Sequence, residues 1–271
     1  MIKSFLTYLQ AIKGYSDNTI TAYERDLIAF AGWLREHKED ARWSTTTRED
    51  VDAFIIEQHD KGLSAATTNR QLAAISSLYR YFQRNGMDVE NPAKYESRRK
   101  IADTIPNTIP YANIILAYRH ARGFNKFMLG MLATTGIRLQ EFLDLTWEDI
   151  NWENNSIKIQ GKGSKERTVH TEASVLRESK ELYDMAHPKG RMIWISQRQA
   201  RYQLWETLRP FCRCKQLSPH AIRHSYATEL ARQGLNVAQI AKALGHKNIS
   251  TTQKYIDMAQ VASQKSCITL N

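Results

Sequence analysis

Six residues of this 271-residue chain have the types that phosphodiester cleavage needs: Arg138, Lys162, His220, Arg223, His246 and Tyr255. A phosphodiester carries a full negative charge and gathers more on its nonbridging oxygens as it is attacked, so a protein that cleaves one must aim cations at those oxygens. The candidates are Arg138, in Thr-Gly-Ile-Arg-Leu-Gln-Glu (Thr135 to Glu141), and Arg223, in His-Ala-Ile-Arg-His (His220 to His224). Guanidinium suits the task because it stays charged and offers a planar fork that matches two phosphate oxygens. A tyrosine hydroxyl such as that of Tyr255, with an ordinary pKa of about 10, needs help to lose its proton before it attacks. His220 and His246 are placed in the sequence to give that help. Lys162 lies in a Gly-rich turn between strand-like runs, Gln-Gly-Lys-Gly-Ser-Lys-Glu-Arg (Gln160 to Arg167), and is a mobile general acid for the leaving 5′ oxygen.

Taken singly these residues are ordinary. The chain has 12 tyrosines and 38 lysines and arginines, so no one of them stands out by type. Glu141, three residues after Arg138 on the same helix face, also fits a plain surface pair. His224, four residues from His220 without a metal-ligand pattern around it, reads as a structural neighbour. The ordered set and its flanking words, ending in Leu-Gly-His-Lys-Asn-Ile-Ser-Thr-Thr-Gln-Lys-Tyr (Leu244 to Tyr255), resemble the tyrosine recombinase or phage integrase family.

The resemblance covers nearly the whole chain and implies a fold: mainly α with a small β-sheet or hairpin, in a two-domain architecture. Residues 1–95 are similar to a helical, SAM-like core-binding domain, 96–110 form a basic linker, and 111–271 carry the integrase-like catalytic domain with a C-terminal tail. By resemblance Arg138 and Arg223 clamp the scissile phosphate, Lys162 protonates the leaving oxygen, His220 assists proton transfer and His246 bonds the phosphate. Tyr255 forms a 3′-phosphotyrosyl link, and Glu141 matches the acidic position that supports the site. The implied activity is site-specific recombination by four protomers on two DNA sites, monomeric when free, in the manner of compact Xer-like members that lack an arm-binding domain. Neither metal nor nucleotide is needed, because the phosphotyrosyl bond conserves the energy of the broken one. A type IB topoisomerase, told apart by changing linking number, and a catalytically idle DNA-binding protein are the alternatives. The segment after Gln260 is expected to dock on a neighbouring protomer.

Charge supports a polyanionic partner. Residues 1–105 hold 15 basic and 15 acidic side chains, so the net charge of +10 belongs to residues 106–271. In the N-terminal part the acids crowd before residue 61, and Arg70, Arg80, Arg84, Lys94, Arg98, Arg99 and Lys100 follow as candidate DNA contacts. Lys165 and Arg167 are candidates in the second part. The three cysteines make no C-x-x-C pair, which argues against a disulfide framework and a zinc site and for a reducing cytoplasm. Ile2, Phe5, Leu6, Leu9 and Ile12 have helical spacing, unlike the solid apolar block of a signal peptide, and no run is long enough to span a membrane.

The positioning elements follow from periodicity and punctuation. Ile20, Tyr23, Leu27, Phe30 and Leu34 mark one helix, with Ser16 or Asn18 as its cap, and Asp50 to Asp60 and Ala65 to Arg84 mark two more. In the last of these Leu72, Ile75, Tyr79 and Phe82 form the buried stripe, which leaves Arg70, Arg80 and Arg84 free for solvent or phosphate. Lys94 to Pro110, with four basic residues and two prolines, is an exposed linker. Beyond it, Phe124 to Thr134, Leu139 to Leu145, Gln197 to Cys212, His220 to Gln233 and Val237 to Leu244 are predicted helices. Ser156 to Gln160, Arg167 to His170 and Met192 to Ile195 are predicted strands.

Overall fold

The computed structural model describes residues 1–94, 107–161, 165–185, 190–213, 216–245 and 252–259, without the side chains of 165 and 181–185. In the N-terminal segment the chain forms α1 (Ile2–Ala11), α2 (Asp17–His37), α3 (Arg48–Asp60) and α4 (Ala65–Arg84). Local chemistry sets their starts. Thr47 and Asp50 close a reciprocal capping box at α3, and Ser64 accepts the Thr67 N–H at α4, satisfying donors that the first turn leaves without partners. The apolar stripes then converge. Phe5, Leu27, Phe30, Phe54, Ile75, Leu78, Tyr79 and Phe82 are enclosed in one core, and each such side chain contributes roughly 1.5–3 kcal/mol by leaving water.

The expectation that Arg70, Arg80 and Arg84 are all free changes on contact with the structure. Arg70 is not free: its Nε and Nη2 donate to Asp26 at 2.8 and 3.0 Å, tying α4 to α2 around a carboxylate only 4% exposed. A buried carboxylate needs a cation and full hydrogen bonding, and Arg70 meets that need. Arg84 bonds the Tyr8 hydroxyl and lies over its ring, and Arg80 folds back on Ser76; both side chains remain at the surface.

The second segment is built around α6 (Gly123–Thr135), whose residues from Phe127 to Ala133 are all buried. A helix that is apolar on every side must be central. It is enclosed by α5 (Tyr111–His120), α7 (Leu139–Leu143), α8 (Ala173–Met185), α9 (Gln197–Leu208) and α10 (Pro219–Arg232). A three-stranded antiparallel sheet lies beside them in the order β1 (Ile150–Asn151), β2 (Ser156–Gly161), β3 (Lys165–His170), with Ile157 opposite Val169 and Ile159 opposite Arg167. Ile157 and Ile159 face the core while Lys158 and Gln160 face out, the alternation of a half-buried strand. α11 (Val237–Leu244) and a last helix, α12 (252–259), complete the described residues.

The third strand was expected at Met192 to Ile195 and is instead β1, which takes the free edge of β2. The 192–195 run makes no ladder: Thr146 bridges Arg191, and the Met192 N–H bonds the Leu145 carbonyl. α9 stops at Leu208 rather than Cys212, because Pro210 has no N–H to donate and its ring clashes with the preceding turn. α7 stops at Leu143, and α5, α8 and α12 are helices that the sequence does not mark. The structure divides into compact units Met1–Asp103 and Thr104–Asn271.

Candidate active site

α10 is the spine of the site. Ser218 accepts the Ala221 N–H, Pro219 takes the first helical position where its missing N–H costs nothing, and His220, Arg223 and His224 follow within the first turns. Arg223 is 4% exposed. Its Nη1 donates to the Gly136 carbonyl at 2.5 Å and its Nη2 to the Leu244 carbonyl at 2.7 Å, so the guanidinium joins the ends of α6 and α11. Burial, then the nearby Arg138, lowers Arg223 to about 10, which still leaves it charged at neutral pH.

Gly136 makes that arrangement possible. It ends α6 in the left-handed region at φ 61°, and a Cβ there would lie 2.3 Å from the Tyr226 ring. The turn it forms delivers Arg138 to the start of α7. Glu141, on the first turn of that helix, accepts the Arg138 N–H and the Arg138 Nη1, both at 2.8 Å. It also accepts a fork from Arg167 on β3, at 3.1 and 2.7 Å. Burial opposes the charge on Glu141, but the Arg167 fork and the Arg138 N–H outweigh it and hold the carboxyl down to about 2. Glu141 thus sets the guanidinium of Arg138, whose side chain is 41% exposed and keeps room for a ligand.

By sequence Arg167 is a candidate DNA contact. It is instead committed to Glu141 and packed beneath Gly245, whose Cβ, if present, would sit 3.1 Å from the Arg167 side chain. Gly245 ends α11 in the left-handed region at φ 66°, after an Asn236–Gln239 capping box at the other end. Beyond it α12 carries Tyr255 back against α10 and α11, where Ala227, Ile240 and Leu244 enclose its ring and leave it 3% exposed. The hydroxyl stands 2.6 Å from His224 Nδ1. Burial raises the Tyr255 pKa, against the pull of Arg223. His224 is lowered to about 4 by burial, then by His220 and Arg223; His220 is lowered by burial, then by Arg223, Arg201 and Arg138.

Of the expected set, Arg138, Glu141, His220, Arg223 and Tyr255 therefore gather around the start of α10. Lys162 and His246 lie outside the described residues, as do Arg98, Arg99, Lys100 and the side chain of Lys165; Lys94 is at the surface. His224, set aside in the sequence as a structural neighbour, is the residue that meets the Tyr255 hydroxyl. Its signal was faint: it sits one helical turn after His220, hence on the same face. Among the described residues no group of acidic, histidine and cysteine side chains has the makings of a metal site, and no helix is long and apolar enough to cross a membrane.

Residues 111–261 match the family model described as Phage integrase family, and residues 2–86 match that of the phage integrase N-terminal SAM-like domain. The chain belongs to the phage integrase family of tyrosine recombinases. Among its relatives, tyrosine recombinase XerD of Pseudomonas putida is 30% identical over 98% of this chain and 95% of its own length. XerD of Oceanobacillus iheyensis is 28% identical over 94% and 92%, and XerC of Herpetosiphon aurantiacus is 29% identical over 94% and 89%. The fold is that of a XerH site-specific recombinase solved in a post-cleavage complex with palindromic difH substrate, with a TM-score of 0.77 at 18% identity over 99% of this chain and 84% of that one. A lambda integrase dimer on a COC′ core site gives 0.70 at 17% identity over 94% and 77%. This recombinase thus pairs a SAM-like helical domain with an integrase catalytic domain, and it is a tyrosine site-specific recombinase.

Proposed function

We propose that this recombinase cuts and rejoins double-stranded DNA at a specific site through a 3′-phosphotyrosyl bond to Tyr255, with four protomers holding two duplexes. The observation that carries the reading is the seating of Tyr255 against α10 within the field of Arg223, with Arg138 and His220 in electrostatic range of the same guanidinium. Two guanidiniums then meet the charge that develops on the nonbridging oxygens, and a phenolic oxygen is at hand to attack. Glu141 orients the more exposed of the two cations. His220 and His246 bond the phosphate and assist proton transfer, and Lys162 protonates the leaving 5′ oxygen. Duplex DNA as partner is supported by the excess of basic residues in 106–271 and by the DNA complexes of the XerH and lambda integrase structures.

The test is covalent capture. A nicked suicide duplex, built on the sequence that the intact protein enriches from a random duplex pool, traps the enzyme on its substrate. Tyr255→Phe is expected to abolish attachment while leaving duplex binding nearly unchanged, since one hydroxyl contributes few phosphate contacts. Attachment by the Phe variant refutes the assignment.

A further inference from the structure

Tyr255 meets α10 at His224, one turn beyond His220. The hydroxyl is 2.6 Å from His224 Nδ1, and the two rings are tilted at 37° with centroids 5.5 Å apart. The residues are 31 positions apart, and no cap or turn obliges them to touch. What brings them together is the packing of α12 on α10 around the apolar body of Tyr255. A ring nitrogen facing a phenol takes one of two roles: it donates, or it accepts the phenolic proton.

We propose that His224 is the general base of this recombinase: its Nδ1 holds the Tyr255 hydroxyl and takes the proton as the oxygen attacks phosphorus. The inference rests on the reading of Tyr255 as nucleophile and moves the first proton acceptor from His220 to His224. In the forward step the Tyr255 O–H bond breaks and the proton passes to His224 Nδ1. The Tyr255 oxygen bonds to phosphorus, the bond from phosphorus to the 5′ oxygen breaks, and that oxygen takes a proton from Lys162. Rejoining runs the same steps backward, so His224 returns its proton to the departing phenolic oxygen.

The surroundings tie this base to the substrate. In the free protein His224 is neutral at neutral pH, because burial, then the neighbouring His220 and Arg223, oppose its protonation. Tyr255, raised by burial, keeps its proton as well. A phosphodiester bound by Arg138 and Arg223 brings a negative charge among those cations and offsets their opposition, so the ring becomes a stronger base when DNA is in place. His220, more exposed on the preceding turn, is then left to bond the phosphate.

The experiment uses the full-length protein and the suicide duplex above, with either tyrosine or the more acidic 3-fluorotyrosine at position 255. His224→Phe is expected to slow covalent attachment about 10²-fold with duplex binding retained. Fluorotyrosine is expected to recover about tenfold of that loss, because a phenol that gives up its proton more readily depends less on a base. His224→Gln, which retains polarity without basicity, provides the same comparison should the Phe variant no longer bind duplex. Wild-type rates in the His224 variants overturn the proposal. So does an equal defect with tyrosine and fluorotyrosine, the pattern of a ring that merely holds the phenol or donates to it. Attachment by Tyr255→Phe strikes instead at the nucleophile assignment, so the two failures are distinct.

Discussion

Glu141→Gln isolates the charge at the hub of the site. Glu141 is 8% exposed, and its two oxygens accept from the Arg138 N–H, the Arg138 guanidinium and the Arg167 fork. Its carboxyl falls from the ordinary 4.5 to about 2 on folding, a difference worth about 3 kcal/mol at about 1.36 kcal/mol per pH unit. Because the folded value lies below the unfolded one, that stabilisation is complete above about pH 4.5 and is lost as pH falls toward 2. The amide keeps the shape but leaves two guanidiniums facing a neutral group, so the variant is expected to be less stable by about 2–4 kcal/mol at pH 7. Urea denaturation of both proteins between pH 7 and pH 2.5 reads the effect, with the wild type losing its advantage in the acid range and the variant lacking that component. A variant within about 0.5 kcal/mol of wild type at pH 7, with an unchanged acid profile, refutes the reasoning. Attachment to the suicide duplex should fall as well, since Arg138 loses the partner that sets its direction.

Three further outcomes follow. Arg138→Lys and Arg223→Lys should each lose most of the attachment rate, because an ammonium is a point charge that cannot reproduce the fork; Arg223→Lys should also lower the melting temperature, since the Gly136 and Leu244 carbonyls share one guanidinium. Lys162→Ala should be slow on ordinary DNA and much less so on a duplex whose leaving 5′ oxygen is replaced by sulfur, which departs without a proton; an equal defect on both moves the general acid elsewhere. Truncation after Gln260, a segment outside the described residues, should abolish synapsis measured by gel shift while single-site binding survives, and unchanged strand exchange counts against docking of the tail on a neighbour.

Sequence alone determined the family and the local elements. The arginines, histidines and tyrosine of the family's words are matters of residue type and order, and order survives folding. Likewise α4 ran from Ala65 to Arg84 as its stripe of Leu72, Ile75, Tyr79 and Phe82 required, and Gly245 ended α11. These features depend on neighbours within a turn or two, where the 3.6-residue period and the caps carry the information. Partners across the fold were decided by the tertiary structure. Arg70 is 44 residues from Asp26, Arg167 is 26 from Glu141, and Tyr255 is 31 from His224. Each arginine on a surface face looks equally available to DNA in sequence. A buried carboxylate claims one of them only when two elements pack, because burying that charge without a cation is costly. The third strand followed the same logic, since β1 and the 192–195 run compete for an edge that does not exist until β2 is placed. His224 became the neighbour of Tyr255 because packing of α12 on α10 and α11 fixed the depth and rotation of the tyrosine ring. No spacing along the chain encodes that depth.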